Sequence, residues 1–318
     1  MSIQTLELYR HLGRFWLEEV RAEDLAAIAA EPALAVTLTT TDLAALTDLA
    51  VEYQHLFGFN LPPYESIFID PSAMLMAPAT AQVQSLYDRA GWTPPSELRI
   101  GAPDHLGAEL LALAAWLADG QTESARILLT RCLALWAPVF VLALRRLDPH
   151  PFYAVLGELT LDHLLAALPA DPLPPGIDPL PDLPPPPAYQ DRGMPAPPPQ
   201  VEDVSIGLSD IIDHLLTPRR AGLFLTRDDI GRISRALDLP PIMSERRRML
   251  DTLFRQAGQY ELAPDLLKRL AEVFTAAGVT YQTWAGQYPA WDPYARAWQQ
   301  RLAASQTLLA ELAATLAA

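Results

Sequence analysis

Apolar residues recur at helical spacing in six segments of the first half of the chain, over residues 3–30, 40–57, 79–91, 103–119, 121–147 and 151–168. Each predicts a helix with one face turned to a core. Five more segments follow near 205–217, 226–238, 244–258, 262–277 and 291–316. Between the two sets the period is lost: Pro169 to Pro199 holds 14 of the chain's 31 prolines. Segments of this kind adopt extended polyproline II and act as semi-rigid spacers. The pattern predicts an all-α protein with a helical domain over 1–168, a proline-rich linker over 169–204 and a second, smaller helical domain over 205–318.

Several helix ends are readable. "TTTDLAAL" supplies Thr or Asp caps ahead of a leucine pattern, and Gly91 closes the segment before it at "RAGW". In "APDHLGAELLALAAWL", Pro103 suits a first helical position and Asp104 the positive end of the dipole, ahead of a stripe of Leu106, Leu110, Leu113 and Leu117. Pro138, inside "RCLALWAPVF", predicts a break or kink. Thr226 caps "LTRDDIGRISRAL", and Pro264 marks a helix start in "LAPDLLKRL".

Composition supports this picture and adds a charge asymmetry. Leucine and alanine dominate and glycine is scarce, which disfavours strand-rich folds. Residues 1–168 carry 20 acidic and 9 basic side chains, residues 169–204 carry 6 and 1, and residues 205–318 carry 12 and 13. The acidic first part repels nucleic acid and favours cationic partners. "MSIQTLELYRHLGRFWLEEV" has charges in every turn and no apolar signal-peptide core. The apolar run Leu133–Leu144 is shorter than the roughly 20 residues that span a bilayer. A soluble, cytoplasmic protein without stable membrane insertion is expected. The single cysteine, Cys132, reads as a buried structural thiol.

Stereotyped catalytic motifs are missing: there is no GxSxG, P-loop, GxGxxG, HExxH, or Cys/His cluster with metal spacing. The candidates for chemistry are Tyr64, Glu65 and Ser66 in "FGFNLPPYESIF", and Asp104 with His105 in "PDH". A hydrolase would use Ser66 and His105, but neighbouring helical residues point in different directions, which fits a triad poorly. His11, His55, His150, His163 and His214 stand alone among helical residues, and most aromatics read as core. Ser205–Tyr260 holds nine arginines against seven carboxylates, too balanced for a typical DNA-binding regulator. Arg246, Arg247 and Arg248 read instead as a solvated face paired with carboxylates such as Glu245 and Asp251, or as a contact to the acidic domain.

Taken together, "PPYES", "APDHLGAELLALAAWL", "WAPVFVLAL" and "PFYAVLGELTLDHLL" resemble, in order and distance, the TorD/DmsD/NarJ family of redox-enzyme maturation chaperones, over about residues 5–168. The resemblance implies a TorD-like helical bundle. It also implies a non-enzymatic cytoplasmic chaperone, with no cofactor or metal of its own. Its partner would be a molybdopterin oxidoreductase of the dimethyl sulfoxide reductase type, bound through the twin-arginine signal peptide until the cofactor is inserted. By position, the implied peptide-binding residues are Pro63, Tyr64, Glu65 and Ser66 of the first motif, and Asp104, His105 and Glu109 of the second. Tyr64 stands where other members have tryptophan. An arginine pair followed by an apolar stretch needs carboxylates and an aliphatic or aromatic wall, and the first domain has both.

Overall fold

The computed structural model describes residues 3–96, 98, 100–174, 177–180, 207–240 and 242–317, so most of the expected linker at 169–204 lies outside the described residues. The chain divides into two compact units, 1–175 and 176–318. Among the described residues the regular structure is all-α, and the one β-type pairing is an antiparallel bridge between Tyr64 and His105.

In the first unit, α1 (Ile3–Leu17) lies against α7 (Leu106–Ala118). Two glycines set how closely they approach. A Cβ on Gly107 would sit 2.4 Å from the Gly13 carbonyl oxygen and 2.6 Å from Leu17 Cγ, so the backbones touch where side chains would otherwise separate them. The buried face of α1 carries Tyr9, Leu12, Phe15 and Trp16. Trp16 meets Phe57 and Phe140 edge-on, at 5.4 and 5.2 Å between centroids, and donates from Nε1 to Thr160 Oγ1 at 2.9 Å. The buried hydroxyls of Tyr53 and Tyr153 donate to the backbone oxygens of Trp16 and Leu49. Trp16, Tyr53 and Tyr153 thus each bring their polar end a partner, as burial demands.

The helix expected over 3–30 does not run through. It stops at Leu17, and α2 (Leu25–Ala30) and α3 (Pro32–Ala35) follow a short turn. The Asp24 carboxylate accepts the Arg21 backbone N–H at 2.8 Å and Arg14 Nε at 3.4 Å, offering the backbone an alternative to the helical ladder. Next come α4 (Leu43–Tyr53), capped by Asp42, and a wide π-helical turn at Gln54–Asn60. A short helix, α5 (Glu65–Ile69), lies between the segments where helical spacing was read, 40–57 and 79–91. Then α6 (Pro78–Ala90) ends at Gly91 in the left-handed conformation, φ 65°.

α7 begins at Leu106, not at Pro103. His105 is its cap, accepting the Gly107 N–H through Nδ1 at 3.0 Å, and Asp104 serves a different helix. His150 caps α10 (Pro151–Ala166) in the same way, through Phe152 N–H.

Pro138 does not break its helix. α8 (Thr122–Leu128) continues through a second π-helical turn, Leu129–Leu133, into α9 (Ala134–Arg146), and this widening lies just before the turn in which Pro138 lacks its N–H donor. Thr122–Arg146 is therefore one 25-residue helical run whose most apolar 18-residue window has mean hydropathy 2.1, long and apolar enough to cross a bilayer, which the Leu133–Leu144 count understated. In this unit 89% of its apolar window is buried.

The second unit contains α11 (Leu208–Leu216), α12 (Pro218–Ala221), α13 (Arg227–Ala236) and α14 (Arg246–Gln259), packed on a hairpin of α15 (Ala263–Gln287) and α16 (Asp292–Ala317). Thr226 and Asp229 form the capping box of α13. α15 runs ten residues past its expected end at 277, with Tyr281 and Trp284 buried on its added turns. The arginine run differs from expectation. Arg246 lies 3.9 Å over the Phe224 ring and donates to Leu225 O, and Arg247 pairs with Asp213. Asp251 pairs with Arg255 instead.

Candidate functional site

The two motifs singled out in the sequence, forty residues apart, meet in the first unit. Pro62 and Pro63 end the π-helical turn and hold the chain extended, so that Tyr64 pairs with His105: Glu65 N–H donates to Asp104 O, and Leu106 N–H to Pro63 O, both at 2.9 Å. The Asp104 carboxylate crosses this bridge and accepts Ser66 N–H at 2.9 Å through Oδ2, placing its charge at the N-terminal end of α5. Tyr64 stands edge-on to His105 with 4.8 Å between ring centroids. Its hydroxyl occupies the space of a missing side chain, 2.6 Å from where a Cβ on Gly101 would be. Tyr87 ties the loop down by donating to Pro103 O at 2.9 Å.

The implied site residues differ sharply in exposure. Tyr64 is half-buried, whereas Pro63, Glu65, Ser66, Asp104, His105 and Glu109 are buried. Glu65 and Asp104 therefore do not present their charge on an open wall. Behind the bridge, Glu65 from α5 faces Glu109 from α7 and Cys132 from the second π-helical turn. Trp136 Nε1 reaches Glu109 at 3.5 Å from α9. Cys132, Trp136 and Tyr87, read from the sequence as plain core, thus belong to this cluster. The i, i+4 spacing of Cys132 and Trp136, which puts both on one helix face, was the available sign.

Electrostatics follow from the burial. Loss of water, with the Asp104 charge nearby, pushes the Glu65 carboxyl up to about 8, and burial beside Glu65 and Asp104 pushes Glu109 well above the carboxylate range. Burial lowers His105 to about 3, so its ring is a neutral cap at neutral pH. Ser66 Oγ has no hydrogen-bond partner and His105 Nδ1 is taken by Gly107 N–H, so the two do not form a nucleophile–base pair. Among the described residues no cluster of three or more His, Cys, Asp or Glu has metal-binding geometry.

A pH dependence follows, with a definite sign. The raised Glu65 carboxyl holds a proton in the folded chain that it loses when unfolded, so its stabilisation is full below pH 4.5 and disappears as pH rises through about 8, and Glu109, also raised, acts in the same direction. His105, and His214 in the second unit at about 4, act oppositely, but only below their ordinary value of 6.5. Between pH 6.5 and 8 the carboxyls govern the slope. Urea unfolding should show the protein losing about 1–2 kcal/mol across that window, and Glu65→Gln should flatten the loss. An unchanged slope in the variant would remove Glu65 from the account.

Residues 20–142 match the profile of the nitrate reductase delta subunit family. Over 105 residues, 32% of this chain, the sequence is 35% identical to a protein of Salmonella typhi named Tat proofreading chaperone DmsD. Over these residues the first unit is similar to the nitrate reductase delta subunit family. The alignment spans half the length of that curated relative. The delta-subunit match takes in both motifs, the Tyr64–His105 bridge and the π-helical turn carrying Cys132, and it ends before α10 and before the second unit.

Proposed function

We propose that this protein is a cytoplasmic, non-enzymatic assembly chaperone for a molybdopterin-dependent oxidoreductase of the dimethyl sulfoxide reductase type. It holds the client's twin-arginine signal peptide, or an N-terminal remnant of one, until the cofactor is in place. The observation that carries this reading is the Tyr64–His105 bridge, which brings the two motifs together over a buried acid cluster. The family match over residues 20–142 and the proofreading name of the Salmonella typhi relative support it. Tyr64, half-buried at the rim, is the member placed to touch a ligand first, and Pro63, Ser66 and His105 hold it there. Glu65, Asp104 and Glu109 supply acceptors for guanidinium groups once the rim opens. An enzymatic role has no assembled nucleophile in its favour, and two of the three clustered arginines of the second unit are engaged within it.

A twin-arginine peptide titrated onto the full chain should bind, and Tyr64→Ala, which removes a partly exposed ring without opening the core, should weaken binding about tenfold. Absence of binding would reject the chaperone reading. Equal affinity in the variant would move the contact away from the bridge.

A further inference from the structure

The cluster behind the bridge holds more acceptors than donors. Glu65 Oε2, Glu109 Oε1, Asp104 Oδ1 and Ser66 Oγ are each buried without a hydrogen-bond partner. In a dry interior each such atom costs about 1–3 kcal/mol, so several in one place mark a site lacking its donors rather than a finished core. The proximity of Glu65 and Glu109 carries its own constraint: two carboxyls buried side by side resist ionising together, so one keeps a proton. The groups facing the pair are Asp104 from the loop, Tyr87 from α6, Trp136 from α9 and Cys132 with the exposed Arg131 from the π-helical turn.

A guanidinium brings five N–H donors and one positive charge, which answers both the unpartnered oxygens and the shared proton. We propose that Glu65 and Glu109 form a proton-exchanging receptor, in which an entering arginine displaces a carboxyl proton to solvent and takes its place as the cationic partner. This rests on the chaperone reading above and adds its regulation. Before binding, one carboxyl of the pair is neutral. Afterwards a carboxylate accepts from the guanidinium, and one proton has left for one positive charge gained. Burial supports the direction, since it raises Glu65 to about 8 and Glu109 well above its ordinary value, so that the pair is a source of protons. Binding must then tighten as pH rises, by up to about tenfold per unit for one proton released.

Calorimetry of the full chain with a twin-arginine peptide at about pH 7, in buffers of low, intermediate and high ionisation enthalpy, reads the proton directly. The expected result is an apparent enthalpy that varies with buffer and corresponds to release of about one proton per peptide. The same titration on the Glu65→Gln, Glu109→Gln double variant should show no buffer dependence and weaker binding. Each single variant should retain part of the release. Binding with a buffer-independent enthalpy would overturn the exchange while leaving the chaperone reading intact. Release that persists in the double variant would overturn its assignment to this pair, and failure of the peptide to bind at all would overturn both readings.

Discussion

Gly107→Ala is expected to cost the protein about 3 kcal/mol or more, the largest effect of any single methyl added to the first unit. The added Cβ would lie 2.4 Å from a backbone oxygen of α1 and 2.6 Å from a branched side-chain carbon, and neither neighbour is a flexible tip able to swing aside. Relief requires α1 to back away from α7, which would loosen Trp16 from Phe57 and Phe140 and weaken its bond to Thr160. Gly258→Ala is the matching control. It lies within α14 with nothing inside 4 Å of the new atom, so the substitution should be neutral or stabilise by up to about 1 kcal/mol. Urea unfolding of both variants makes the comparison, and a loss below about 1 kcal/mol for Gly107→Ala would show that the helices can part cheaply.

Asp104→Ala should come second, with a loss of about 2–3 kcal/mol. The substitution leaves Ser66 N–H buried without an acceptor and strips the N-terminal end of α5 of its cap. Part of that cost is offset because the Asp104 charge no longer presses on Glu65. Asp104→Asn separates the contributions: its side-chain oxygen can still accept Ser66 N–H while the charge is gone, so stability should stay within about 1 kcal/mol of the parent. If the asparagine variant falls as far as the alanine variant, the carboxylate charge rather than the hydrogen bond supports this corner.

What could be read from the sequence was what is local in the chain. Thr226 with Asp229, Asp42 ahead of Leu43 and Gly91 after α6 are all signals written within four residues of the ends they set. The helical class followed from periodicity for the same reason. Asp104 was misplaced because its partner lies 38 residues away: locally it looks like the head of α7, and only the folded chain hands it to α5. The break after Leu17 was hidden by a side-chain network around Arg14 and Asp24 that competes with a continuous apolar period. At the site, the resemblance brought the two motifs together, but burial cannot be read from a motif. Glu65 and Asp104 looked like surface charge for arginines, and folding instead places them with Glu109 and Cys132 in an interior that nothing in the linear order announces.

The π-helical turn at Leu129–Leu133 also bears on how this chain can change over generations. A turn of that kind holds one residue more than the ordinary repeat requires, so deleting one position there would restore a regular helix from Thr122 to Arg146. That repair would rotate everything before it by about 100° relative to everything after it. Ala125 and Leu128 would leave the core, or Cys132 would leave the carboxyls, depending on which half stayed docked. Single-residue deletions in this helix should therefore be purged even though they improve its local regularity, and its length should be among the least negotiable features of the first unit.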